Sequence, residues 1–92
     1  MQDDRVVELD FSNFWGGSVS AVARNTALQA IKGPADAHDF LCNRWPGIRG
    51  PAFAKAKRAA IAAISGRTSP EEARAAFIAA CLQADCLVRT DV

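Results

Sequence analysis

The residues best suited to chemistry in this sequence are its one histidine and its three cysteines. His38 and Cys42 are four residues apart, which places them on one face of a helix if the segment is helical. Such a pair could activate a thiolate nucleophile, and with Cys81 and Cys86 it could supply four zinc ligands. No motif supplies a third orienting group or an oxyanion hole, and buried cysteine commonly serves as a small hydrophobe. We therefore expect no catalytic residue, no cofactor and no metal site.

Positive charge is concentrated in one part of the chain, since no Asp or Glu occurs between Arg44 and Arg67. These cations could contact phosphates, with the N-terminus of a helix beginning at Pro51 as an additional anion site. The segment lacks an aromatic platform and a helix-turn-helix signature, so nucleic-acid binding is the alternative hypothesis rather than the first. Its candidate residues are Arg44, Arg49, Lys55, Lys57, Arg58 and Arg67.

A predicted helix over residues 70–84 is apolar on nearly all sides, because only Arg74 and Gln83 are polar between Ala73 and Ala84. A helix of this kind is normally buried on more than one side, which predicts an interface with a second copy or with another protein. The alternative interpretation, that exposed alanines merely favour helix formation, stays open. The candidate interface residues are Ala75, Ala76, Ile78, Ala79 and Leu82.

Two short strands are predicted within residues 18–31, because apolar residues lie on both sides of a turn signal at Asn25. Asparagine tolerates the left-handed backbone of a tight turn, so we expect a hairpin centred there. Residues 1–13 begin polar and then alternate, which predicts a flexible or extended arm. Residues 86–88 are expected to form a short edge strand or simply to cover the core.

Proline marks the start of each of three predicted helices, because its missing N–H costs nothing at the first helical position. A proline also ends the first helix, since the residue before it is pushed out of the helical region, and a glycine caps the second. The predicted starts are Pro34, Pro51 and Pro70, and the predicted stops are Pro46 and Gly66.

Two interactions are expected at the ends of these helices. Ser69 should cap the third helix while Glu72 reaches back to the cap N–H, as in a capping box. Trp45 should be buried at the end of the first helix, with its N–H bonded to a carbonyl of the glycine-rich loop that follows. The predicted inner stripe of the second helix comprises Phe53, Ala56, Ala60, Ile61 and Ile64.

The composition excludes several classes of protein. Half of the 92 residues are apolar, but nineteen of these are alanine, which leaves bulk for one compact core and too little for a deep catalytic cavity. The net charge of +1 gives no global signature of nucleic-acid binding. No apolar run approaches the ~20 residues of a membrane-spanning helix, and the N-terminus is acidic, unlike a secretory signal. The odd number of cysteines favours a reduced, cytoplasmic protein.

Two motifs carry a resemblance to a known family. Asn43-Arg44-Trp45-Pro46 ends the first predicted helix, and Ala73-Arg74-Ala75-Ala76-Phe77 lies in the third. With them, the chain resembles a family of small bacterial proteins catalogued as domain of unknown function 982, over residues 14–88. The family usually has an aromatic residue and a Pro-Val pair before the first strand, whereas in this chain Trp15 is followed by Gly16-Gly17-Ser18-Val19 and the proline is missing. The resemblance implies a compact α+β module and no established activity.

Together these patterns predict an α+β fold, with a short N-terminal β-hairpin followed by three α-helices in a single domain over residues 1–92. The predicted function is that of a non-enzymatic cytoplasmic protein–protein interaction module or accessory subunit. Its expected partner is a second copy or an unidentified protein, with nucleic acid as the alternative and no membrane.

Overall fold

The structure, a computed structural model, describes residues 15–90 of the chain. The first element in this range is a β-hairpin. Strand β1 (Val19–Val22) pairs antiparallel with β2 (Leu28–Ile31), and Val19 lies opposite Ile31. The hairpin predicted within residues 18–31 is therefore confirmed. The predicted arm over residues 1–13 lies outside the described residues.

The turn of this hairpin lies where it was expected, but its backbone differs from the prediction. The positive φ, 68°, belongs to Thr26 and not to Asn25. Asn25 contributes through its side chain instead, because its Oδ1 accepts a hydrogen bond of 3.1 Å from the backbone N–H of Ala27. An asparagine that bonds two residues ahead in this way stabilises a turn without itself adopting the left-handed conformation.

A third strand, β3 (Leu87–Thr90), pairs antiparallel with the other edge of β1. The order of the sheet is therefore β2-β1-β3, with a bulge in the β1–β3 register between Ser20 and Ala21. Of the two roles expected for residues 86–88, an edge strand or a cover for the core, the structure shows the edge strand, with its bounds at Leu87 and Thr90. The strand nearest the N-terminus of the described chain thus occupies the centre of the sheet.

Three helices follow the hairpin: α1 (Pro34–Asn43), α2 (Pro51–Ile64) and α3 (Pro70–Gln83). Each begins at the proline that predicted it. The Ser69 hydroxyl accepts a hydrogen bond of 3.2 Å from the backbone N–H of Glu72, as expected for a cap. The Glu72 carboxylate bonds to the hydroxyl of Thr68 rather than to the cap N–H, so only half of the predicted capping box forms. No helix within residues 15–90 is both long enough and apolar enough to cross a membrane.

The core lies between one face of the sheet and the three helices. Val19 and Ile31 enter it from the sheet, and Phe40 and Phe77 from α1 and α3, each almost fully buried. The two phenyl rings meet edge to face, with their centroids 5.7 Å apart. This arrangement confirms the predicted α+β fold class.

The inner face of α2 differs from the prediction at two positions. Ile61 and Ile64 are 39% and 43% exposed, whereas Ala63 is buried with Phe53, Ala56 and Ala60. Alanine on the buried stripe lets α2 lie close to its neighbours, and the larger isoleucine side chains then have room only at its outer edge. The expectation that bulk marks the inner face was therefore wrong for Ile61 and Ile64.

Candidate functional site

The outward face of α3 carries three of the five residues predicted to form an interface. Ala75 and Ala79 are exposed, and Leu82 is 63% exposed. Spacings of four and three residues place them in one row along the helix. Ala76 and Ile78 are half-buried and pack against the core, so they flank this row rather than belong to it. We call Ala75, Ala79 and Leu82 the α3 row.

A groove of about 380 Å³ lies beside this row, between α2 and α3. Apart from one charged residue on each helix, Lys55 on α2 and Glu72 on α3, alanines line it. Sequence reasoning missed the contribution of α2. The signal was present in the regular spacing of its small and basic residues along one side of that helix. The lining residues from α2 are Ala52, Lys55 and Ala59, and those from α3 are Glu72, Ala75, Ala76 and Ala79.

A second cavity, of about 430 Å³, lies where the loop between α1 and α2 meets the end of α3. Trp45 forms part of its wall and is only 5% exposed, and its Nε1 donates a hydrogen bond of 3.2 Å to the carbonyl of Ile48. The predicted burial and hydrogen bond of Trp45 are thus confirmed. A Cβ added to Gly47 would lie 3.0 Å from the Cβ of Ala84, so the loop approaches α3 this closely because position 47 is glycine.

The two arginines of the basic segment that precede α2 are engaged within the molecule. Arg44 forms an ion pair with Asp39, with Nε 3.3 Å from Oδ2. Hydrogen bonds from Asn43 and Arg44 hold the pKa of Asp39 below its ordinary value. Arg49 places its guanidinium 5.4 Å from the centre of the Phe53 ring. Neither arginine is therefore a purely solvated cation.

The other four basic residues do not continue these two into one row. Lys55 and Arg58 are exposed and three residues apart, so they are neighbours on α2. Lys57 is half-buried and points to another side of the helix, and Arg67 follows the helix end. The predicted basic segment therefore does not form one continuous row in the structure. Arg44 and Arg49 lie between α1 and α2, and Lys55 and Arg58 are neighbours on α2. Lys57 and Arg67 lie apart from both pairs.

The histidine and one cysteine meet as their spacing predicted. The Sγ atom of Cys42 lies 3.5 Å from Nε2 of His38, and both residues are half-buried. Cys81 and Cys86 are buried, and burial raises the pKa of both thiols. Residues 15–90 contain no group of three or more His, Cys, Asp or Glu side chains that could hold a metal ion. Among the described residues the structure therefore pairs His38 with Cys42 and Cys81 with Cys86, but it does not bring all four together as zinc ligands.

Two comparisons show that this chain is similar to known proteins in sequence and in fold. The model of the family described as "Protein of unknown function (DUF982)" matches residues 18–88. The NMR structure of the Agrobacterium tumefaciens protein Atu1219 is 35% identical to this chain, with a TM-score of 0.69. That match covers 88% of this chain and 81% of the other. No curated protein matches the chain. Neither the family nor the Agrobacterium protein is described with an activity.

Proposed function

We propose that this chain, which belongs to the DUF982 family of proteins of unknown function, is a non-enzymatic protein–protein interaction module that forms a homodimer. The family is described with no activity, so the proposal rests on the surface of the chain itself. The observation that carries the proposal is the α3 row, in which Leu82 is 63% exposed beside two exposed alanines. Polar side chains normally occupy the outward face of a surface helix, and an apolar row there is suited to a partner.

The groove beside the row supports close contact with another helix. Alanine side chains lie along both of its walls, and small side chains allow the backbones of two helices to approach. A helix that enters the groove gains dispersion contacts along its length, while Leu82 at the end of the row adds apolar area. These features favour a helix as the contacting element.

The charges of the groove favour a second copy as the source of that helix. A short loop over residues 65–69 joins α2 to α3, which is typical of an antiparallel helix pair. In such a pair Lys55, near the start of α2, lies towards the C-terminal half of α3, and Glu72, in the first turn of α3, lies towards the other end of the groove. When two copies meet about a two-fold axis near Ala75 and Ala79, Lys55 of one copy faces Glu72 of the other. Opposite charges at opposite ends of one patch are what a self-complementary interface requires.

The proposal extends to the cellular location. The three cysteines are free thiols, which suits a reducing cytoplasm. A non-catalytic role is supported by the surroundings of His38, whose ring hydrogen-bonds within residues 15–90 only to the neighbouring Cys42. A catalytic dyad needs a further group to orient the base, and the described residues place none there.

Self-association and a charge in the α3 row test the proposal. Light scattering over a series of micromolar concentrations should give a mass that rises from 9.8 kDa towards twice that value. Ala79→Glu should keep the mass at 9.8 kDa with unchanged helicity, because the carboxylates introduced on the two copies would meet near the two-fold axis, and their repulsion and desolvation oppose association by several kcal/mol. Ala35→Glu, at an exposed position on α1, is the matched control and should dimerise like the native chain. A native chain that stays at 9.8 kDa throughout would show the proposed homodimer to be wrong.

A further inference from the structure

Strand β2 lies at one edge of the sheet, and its side facing away from β1 pairs with no other strand within residues 15–90. The register determines which backbone groups lie on that side. The N–H of Ala23 bonds to the carbonyl of Ala27 at 2.8 Å, and in an antiparallel ladder every second residue bonds to the partner strand. Leu28 and Ala30 therefore direct their N–H and C=O groups away from β1. We call this side of the strand the β2 edge.

The β2 edge lacks the features that commonly prevent an edge strand from pairing. The four residues of β2 include no charged residue, proline or glycine, and Leu28 is 65% exposed. The opposite edge of the sheet is different, because β3 carries Arg89 and its register with β1 is interrupted by a bulge. Charged residues and bulges discourage the addition of a further strand. The β2 edge has neither and is suited to accept one.

The chain reaches the β2 edge at Trp15. Its N–H bonds to the carbonyl of Lys32 at 2.8 Å, and Lys32 directly follows β2 and continues the alternation of Leu28 and Ala30. Trp15 therefore lies beside the C-terminal end of the β2 edge. The fourteen residues that precede Trp15 are more than enough to cover the four residues of β2, because all extended strands rise by about 3.3 Å per residue. A segment that lies along β2 and ends at this point runs parallel to it.

We propose that residues 9–13 of this chain pair with the β2 edge as a parallel fourth strand. The hydrogen bond of Trp15 sets the register. In a parallel ladder, every second residue donates its N–H to one carbonyl of the partner strand and accepts from the N–H two residues further along. Phe11 then donates to the carbonyl of Leu28 and accepts from the N–H of Ala30. The residues at positions 9 and 13 bond to the two groups of the β2 edge that remain.

The alternation of side chains in this segment fits the same arrangement. Leu9 and Phe11 are separated from Trp15 by an even number of residues, so all three side chains lie on one side of an extended segment. Trp15 is 6% exposed and packs against Phe77 of α3, with ring centroids 5.8 Å apart. The apolar side chains of the segment therefore lie on the helix side of the sheet. Acidic Asp10 lies on the other side, in solvent.

Charge and tethering favour the chain's own segment as the occupant of the β2 edge. Residues 1–14 contain four acidic residues and one basic residue, a net charge of −3, whereas residues 15–90 contain ten basic and five acidic residues, a net charge of +5. Opposite net charges attract the segment to the rest of the chain. Because Trp15 already holds one end, the segment is present at an effective concentration of about millimolar, which a second copy at micromolar concentration does not reach.

This interaction goes beyond the proposed dimer and involves a different surface. The β2 edge belongs to the sheet, whereas the α3 row and its groove belong to α2 and α3. A chain that fails to dimerise can still show the fourth strand, and a chain without it can still dimerise. The two proposals therefore succeed or fail separately.

Amide hydrogen exchange, measured by NMR on the full chain, tests the proposal. The N–H groups of Leu28 and Ala30 should exchange at least about tenfold more slowly than in an unstructured peptide. Phe11→Asp should remove this protection, because it places a carboxylate among apolar side chains on the helix side. Ser12→Asp is the matched control, since the adjacent side chain faces solvent, and it should exchange like the native chain. The N–H of Gln29, which faces β1, should stay protected in all three chains.

Three outcomes would overturn the proposal. The first is exchange of Leu28 and Ala30 at the peptide rate in the native chain, and the second is equal exchange in Phe11→Asp and Ser12→Asp. The third is protection that weakens on dilution, which would assign the β2 edge to a second copy. If Phe11→Asp also loses the protection of Gln29, nuclear Overhauser contacts in the native chain decide instead. Contacts between the backbone protons of Phe11 and Ala30 support the fourth strand, and their absence overturns it.

Discussion

The substitution Leu82→Ala distinguishes between two roles for Leu82: a residue of the dimer interface, or a residue that merely lies on the surface of a single copy. In a single copy most of this side chain is in water, so Leu82→Ala should change the free energy of unfolding by less than ~0.5 kcal/mol. Full burial of a leucine is worth about 1.5–3 kcal/mol, and covering the 63% that is exposed is then worth about 1–2 kcal/mol. Each copy of a two-fold dimer contributes one such residue, so dimerisation should weaken by about 2–4 kcal/mol. The Kd should accordingly rise between about thirtyfold and about a thousandfold.

Sedimentation equilibrium gives this Kd, and urea unfolding at concentrations below the Kd gives the stability of the single copy. Val88→Ala is the control, because Val88 is 50% exposed on β3 and lies outside the α3 row and its groove. It should leave the Kd unchanged. A Kd for Leu82→Ala equal to that of the native chain would refute the assignment of Leu82 to the interface. A large loss of single-copy stability would instead show that Leu82 supports the core.

Three further outcomes are expected. Phe77→Ala should lower the free energy of unfolding by about 3–5 kcal/mol in urea titrations, because Phe77 is fully buried against the ring of Phe40. A loss below ~1 kcal/mol would contradict this packing. The lowered pKa of Asp39 should stabilise the fold above its ordinary value of 3.8, and this contribution should disappear as the pH falls through the lowered folded pKa. The difference in unfolding free energy between the native chain and Asp39→Asn should therefore shrink on acidification, and a difference independent of pH would argue against it. Finally, the chain should elute unretained from a DNA or RNA column at low salt, whereas retention that Lys57→Glu with Arg58→Glu abolishes would favour the nucleic-acid alternative.

The elements that depend on local sequence signals could be predicted from the sequence. Pro34, Pro51 and Pro70 each start a helix because the favourable position of proline depends only on neighbouring residues. The hairpin turn likewise depends on a short segment around Asn25. Even there, the sequence did not reveal which residue takes the positive φ, because asparagine can stabilise a turn by conformation or by a side-chain hydrogen bond.

Features that depend on the distance between helices could not be predicted in this way. Ile61 and Ile64 share the helical period of the core residues, but alanines take the buried stripe and leave the isoleucines at the edge. The groove beside the α3 row has the same origin, because it exists only where α2 and α3 meet. For this reason the sequence indicates only that Lys55 lies in a basic segment, whereas the structure shows that it lines an alanine-rich groove.

The position of β1 at the centre of the sheet has a consequence for the order of folding. Val19 pairs with Ile31 nearby in the chain and with Thr90 at the other end of the described residues. The first pairing closes a short loop and can form within microseconds, whereas the second must bring together segments separated by all three helices. We therefore expect the hairpin to form early and β3 to dock after the helices have collapsed. Until then the second edge of β1 stays open, and it is the place where two unfinished chains can pair wrongly.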